Sequence, residues 1–136
     1  MMLKRILLAE DDPRDVELIL QGLRSSYLAN DVMVVGDGAE ALDYLNRRGR
    51  FSDRPDTLPA LVLLDIMLPY VDGYEILSKI RNQAGWENVP VVMLTSKGSE
   101  RDIARAFDCN ADDYMVKPFQ PDELKARMRR LMRGRR

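Results

Sequence analysis

Five short apolar runs alternate with five amphipathic stretches along the chain, the runs lying at 5–9, 32–36, 61–64, 89–95 and 113–116. Rich in Val, Leu and Ile and lacking polar alternation, they read as parallel strands covered on both faces. Pro13 suits the first turn of a helix whose Val16, Ile19, Leu20 and Leu23 share one side. Further helices are predicted over 39–47, 73–82, 100–108 and 121–133. Asn110 is placed to end the fourth of them in left-handed backbone, which Asn tolerates. Strand–helix repetition predicts an α/β domain over residues 1–136. Its parallel sheet is doubly wound in the order 2-1-3-4-5, with right-handed crossovers. The connection over 46–60 exceeds the usual αβ length of roughly two to six residues. With Gly49, Ser52, Pro55 and Pro59 it reads as an exposed loop without chemistry.

The polar positions matter once that order is assumed. Strands one, three, four and five end side by side, on the edge where open α/β sheets bind ligands. Their tips carry Glu10-Asp11, Asp65, Thr95-Ser96 and Lys117-Pro118-Phe119. Asp65 could serve only as a helix cap, but Asp72 and Gly73 are better placed to start the next helix. Four strand tips bring three carboxylates, a hydroxyl and an ammonium into one cleft. Crowded carboxylates repel unless a cation neutralises them. Mg²⁺ suits, because it takes one or two carboxylates and keeps several waters. Asp11 and Asp65 are the expected direct ligands, with Glu10 acting through water. A phosphoryl group would satisfy the metal, Lys117 and Thr95 together. Asp65 is then a candidate nucleophile, forming an aspartyl-phosphate.

Composition narrows the field. The chain has no histidine, which excludes His-ligated metal sites and Ser-His-Asp catalysis. Cys109 is the single cysteine, so no internal disulfide forms, in keeping with the cytoplasm. No apolar run approaches the ~20 residues of a membrane span. The net charge of −1 hides an asymmetry: over 121–136, Lys125 and six arginines face Asp122 and Glu123, a net +5 that leaves −6 elsewhere. A solvated helix face, whose late cations suit the helix C-terminus, is favoured over a nucleic-acid surface, since no aromatic is interleaved with the arginines.

The motifs Leu8-Ala9-Glu10-Asp11-Asp12-Pro13, Leu63-Leu64-Asp65-Ile66-Met67-Leu68-Pro69, Asp72-Gly73, Leu94-Thr95-Ser96 and Asp112-Asp113-Tyr114-Met115-Val116-Lys117-Pro118-Phe119 together resemble the response-regulator receiver family of two-component signalling. The spacings of 30 positions from Asp65 to Thr95 and 22 from Thr95 to Lys117 fit that family, across essentially the whole chain. The resemblance implies a flavodoxin-like fold and a phosphorelay role. Asp65 would accept a phosphoryl group from the phosphohistidine of a sensor histidine kinase or phosphotransfer protein. Glu10, Asp11, Asp65 and the Met67 backbone carbonyl would hold Mg²⁺, while Thr95 and Lys117 contact the phosphoryl oxygens. Thr95 and Tyr114 would switch the face built by helix four, strand five and helix five, through which homodimers are common in the family. Met67 and Lys97 would tune the lifetime of the acyl phosphate. Such a protein is no enzyme in the ordinary sense, catalysing only its own phosphorylation and dephosphorylation.

Departures are modest. The long 46–60 linker and the Asp11-Asp12-Pro13 start look like partners of phytochrome-type kinases, whereas the Arg-rich last helix looks like receivers joined to DNA-binding domains. A rival reading, a phosphatase of the haloacid dehalogenase type, wants an Asp two residues after the nucleophile, and Met67 stands there. Direct DNA reading is not expected, as no helix-turn-helix follows up to Arg136. The alternative is the receiver fragment of a larger DNA-binding regulator or hybrid kinase. A degenerate receiver is disfavoured, because every chemical position is filled.

Overall fold

The computed structural model describes residues 5–26, 31–96, 100–117 and 120–134. In chain order they form β1 (Arg5–Ala9), α1 (Pro13–Ser26), β2 (Asp31–Val35), α2 (Gly38–Asn46), a 3₁₀ turn (Gly49–Phe51), β3 (Leu61–Asp65), α3 (Gly73–Asn82), β4 (Val91–Thr95), α4 (Glu100–Asp108), β5 (Asp113–Val116) and α5 (Pro121–Gly134). All strand pairings are parallel, in the order β2-β1-β3-β4-β5. This is the doubly wound sheet that the alternating pattern predicts. Among the described residues no helix is long and apolar enough to cross a membrane.

Successive residues of each strand feed opposite faces, so two apolar layers share one sheet. Leu7, Ala9, Val62, Leu64, Val91 and Met93 pack with Tyr44 and Leu45 of α2, Ile76, Leu77 and Ile80 of α3 and Ala106 of α4. Ile6, Leu8, Leu61, Leu63, Val92, Leu94 and Met115 pack with Ile19 and Leu23 of α1 and Leu124, Met128 and Leu131 of α5. Capping sets the helix starts: the Asp37 carboxylate accepts from Glu40 N–H at 2.7 Å, and that of Asp72 from Glu75 N–H at 2.9 Å. Asp72 thus caps α3 and leaves Asp65 free of that duty. Asn110 ends α4 at φ +68°, the left-handed backbone expected of it.

Small differences from the predicted bounds have local causes. β4 begins at Val91, two residues late, because Val89 N–H closes a turn onto Trp86 O at 3.1 Å and Pro90 has no N–H to give. α2 begins at Gly38 and stops before Arg47, whose backbone turns left-handed at φ +55°. Gly38 is required there, since a Cβ would lie 2.0 Å from the Val71 carbonyl oxygen. Gly73 is equally constrained: its Cβ would sit 2.4 Å from the Asp65 carbonyl oxygen. Both glycines let backbone press against the loop that leaves β3.

Two expectations need correction. The 46–60 connection is not simply an exposed loop. Phe51 and Pro59 are buried, and Arg54 is only 8% exposed. The Arg54 guanidinium donates to Tyr44 O at 2.7 Å and Leu45 O at 3.4 Å, satisfying carbonyls in the last turn of α2. It also lies 4.3 Å from the Tyr44 ring centroid. Burial pushes its pKa below the usual arginine value, but hydrogen bonding to the carbonyls keeps the cation satisfied. Nor is the basic last helix a purely solvated face. Arg127 and Arg130 both donate to the buried carboxylate of Asp113 on β5, at 2.8 and 2.9 Å. Those contacts tie α5 to the edge strand.

Candidate functional site

Each site residue is delivered by a strand tip. β1 ends and Glu10 follows, its N–H bonded to Val35 O on β2 at 3.0 Å. Asp65 is the last residue of β3, paired with Leu94 of β4. Lys117 follows β5, and its N–H donates to Thr95 O at 2.7 Å. This brings Glu10, Asp65, Thr95 and Lys117 to one edge, as the strand order requires.

Glu10 is 1% exposed and Asp65 4%. Asp65 Oδ1 accepts from Met67 N–H at 3.0 Å, and Oδ2 accepts from Lys117 Nζ at 3.0 Å. Glu10 Oε2 accepts from the N–H groups of Asp11 at 3.0 Å and Asp12 at 3.3 Å, while Oε1 pairs with Lys117 Nζ. Lys117 has one further partner, Asp15 Oδ2 at 3.0 Å. The ammonium therefore serves three carboxylates.

Burial and the adjoining Asp65 carboxylate push Glu10 up to about 8, even though Lys117 pulls it the other way. Burial alone would lower Lys117, but its contacts with Glu10, Asp15 and Asp65 raise it above the usual lysine value. The cation stays charged; the strained partner is Glu10.

Carboxylate oxygens of Glu10, Asp11 and Asp65 all come within 4.8 Å of one another. The donors are oxygen only. Among the described residues, acidic groups at this edge outnumber the one ammonium, and a hard divalent cation would offset the crowding of Glu10, Asp11 and Asp65. The residues present fit such an ion. Asp11, unlike Glu10 and Asp65, is exposed.

The remaining expected positions fall as follows. Thr95 is buried at the end of β4. Tyr114 is half-buried on β5, its ring edge-on to Phe107 of α4 with centroids 5.7 Å apart. The register pairs Met93 with Tyr114 and Thr95 with Val116, so Thr95 and Tyr114 share one sheet face on adjacent strands. Met67 is 69% exposed, and its N–H is the group bonded to Asp65 Oδ1. Lys97 lies outside the described residues. Asp15 was not anticipated, because an acidic residue in a first helical turn reads as a complement to the helix dipole. Its place four residues after Asp11, on the turn facing the strand tips, was the available signal.

Comparison with known proteins agrees with this geometry. Residues 6–129 match the model of the response regulator receiver domain. The DNA-binding response regulator MtrA of Mycolicibacterium smegmatis is 40% identical over 132 residues, covering 97% of this chain and 52% of MtrA. The chain spans about half the length of the curated relatives it matches. Among solved structures, the bacteriophytochrome response regulator RtBRR is 47% identical with a TM-score of 0.87, covering 96% of this chain and 78% of that one. The receiver domain of the Pseudomonas aeruginosa PAO1 sensor histidine kinase PA1611 was solved with magnesium in its active-site cleft. It is 30% identical with a TM-score of 0.78, covering 96% of this chain and 98% of that one. Strand order, acidic cluster and these matches agree: the chain belongs to the response regulator receiver domain family, the phosphoacceptor modules of two-component signalling.

Proposed function

We propose that Asp65 is the phosphoacceptor and that it takes its phosphoryl group from a phosphohistidine on a sensor histidine kinase or phosphotransfer protein. The observation that carries this is the buried Asp65 carboxylate, held at Oδ1 by Met67 N–H and at Oδ2 by Lys117 Nζ. A carboxylate oriented from both oxygens is fixed for in-line attack, which supplies much of the catalysis that phosphoryl transfer needs. A carboxylate oxygen of Asp65 attacks phosphorus as the N–P bond of the donor breaks, and the departing imidazole nitrogen takes up a proton. These 136 residues contain no histidine, so the phosphohistidine lies outside them.

Glu10, Asp11 and Asp65, with the Met67 backbone carbonyl, are the residues that would hold Mg²⁺. When bound, the ion offsets the charge that gathers on the phosphoryl oxygens. Lys117 and Thr95 would contact those oxygens directly. Thr95 then biases Tyr114, its neighbour on the same sheet face, between two packings, and the α4–β5–α5 surface changes with it. Met67, exposed beside Asp65, would limit access of water to the acyl phosphate, and Lys97 is assigned the same role. The half-length match to MtrA favours a second reading, a receiver that works joined to a DNA-binding segment.

Intact mass after incubation with acetyl phosphate and Mg²⁺ tests the reading. The wild type gains one phosphoryl group, and neither the Asp65→Asn variant nor the chelated wild type does. A gain retained by Asp65→Asn would overturn the assignment.

A further inference from the structure

We propose that Asp15 is a positioning residue that holds Lys117 back from the phosphoryl group and thereby weakens the site's grip on it. The inference rests on the phosphoacceptor reading of Asp65. Asp15 sits in the first turn of α1, its side chain 28% exposed, with Oδ2 at 3.0 Å from Lys117 Nζ. It is outside the group of carboxylates placed to share a metal, which comprises Glu10, Asp11 and Asp65. Asp15 therefore touches the lysine without belonging to the metal cluster. The other two carboxyl groups on Lys117 come from the strand tips and are almost fully buried, so the ammonium already has close oxygen partners without a third.

The consequence follows from the count of partners. A primary ammonium has three hydrogens to donate. In the resting site Glu10, Asp15 and Asp65 engage all three. A phosphoryl group on Asp65 must take one of those hydrogens, and Asp15, on a different element from the acceptor, competes for the same cation. Its negative charge, 3.0 Å from Lys117 Nζ, also repels any phosphoryl oxygen that comes to the same ammonium. Both effects act on binding of the phosphoryl group rather than on the attack of Asp65. The charge of Asp15, not its shape, is what the role requires.

Calorimetric titration with beryllofluoride and Mg²⁺, together with the concentration dependence of phosphorylation by phosphoramidate, tests the proposal in the full chain. Asp15→Asn is expected to bind beryllofluoride about twofold to fivefold more tightly, the upper part of the range for a partly exposed ion pair. The KM for phosphoramidate falls accordingly and kcat holds, while Asp15→Glu, which keeps the charge, stays near wild type. A purely structural Asp15 would change Tm without this split between KM and kcat. Unchanged or weaker beryllofluoride binding by Asp15→Asn, with the wild type responding normally, overturns the proposal alone. A wild type that takes neither beryllofluoride nor a phosphoryl group overturns the underlying reading, and the proposal with it. Asp15→Ser gives the same comparison should Asp15→Asn fold poorly.

Discussion

Glu10 is the residue at which fold and chemistry pull apart. Its folded-state pKa is raised from 4.5 to about 8, by burial first and by the Asp65 carboxylate second. The folded protein thus holds a proton there that the unfolded chain releases. Stability contributed by that proton is fully present below the unfolded value and is lost as pH rises through the folded one. Thermal melts of the metal-free protein are expected to show Tm falling between pH 6 and pH 9, and Glu10→Gln flattens that fall. Added Mg²⁺ stabilises the wild type more at pH 9 than at pH 6, because ion binding requires the deprotonated carboxylate. A Mg²⁺ effect independent of pH would remove Glu10 from the set of groups that sense the ion. The chemistry of this residue was legible in the sequence because it follows an apolar strand directly. Its pairing with Lys117, 107 positions away, was not stated by any local pattern, although the strand order already brought the two tips together.

Among the elements, the β3–α3 loop and the 46–60 connection carry the sharpest demands. Gly38 and Gly73 accept backbone oxygens inside the space that a Cβ would fill. Either Gly→Ala change is expected to cost at least ~2 kcal/mol in urea unfolding, since backbone cannot give way as a flexible side chain can. Arg54 makes a different prediction. Arg54→Met preserves bulk but leaves the Tyr44 and Leu45 carbonyls without their donor, a loss of roughly 1–3 kcal/mol. An unchanged unfolding midpoint would mean that the loop is held by Phe51 and Pro59 alone. Sequence reasoning located these helices to within two residues, because the 3.6-residue pattern, Pro13, Asp72 and Asn110 all mark their ends. It missed the anchoring role of Arg54, since an arginine between Asp53 and Pro55 looks solvated until the last turn of α2 is placed beneath it. Arg127 and Arg130 were missed for the same reason: their partner Asp113 lies on β5, across a boundary that helical spacing does not cross.

At the scale of the molecule, a single sheet separates two apolar layers and belongs to both. Leu63 faces the layer of α1 and α5, and Leu64 faces that of α2, α3 and α4. Because adjacent residues of one buried strand serve opposite layers, the layers are expected to unfold together. Leu63→Ala and Leu64→Ala should each cost about 2–5 kcal/mol. Each should lower the protection of slowly exchanging amides on both sides of the sheet, and protection lost on one side only would show that the layers are separable. The opposite ends of the sheet, by contrast, do different work. Trp86, the only indole in the chain, is buried between α3 and β4, at the strands' starting edge, with the Arg54 guanidinium 5.9 Å from its ring. A five-residue strand spans about 17 Å, and the carboxylates stand at its other end. Light emitted by this protein therefore reports how the long connection sits on its core, and a cation or phosphoryl group arriving at Asp65 leaves the emission colour almost untouched.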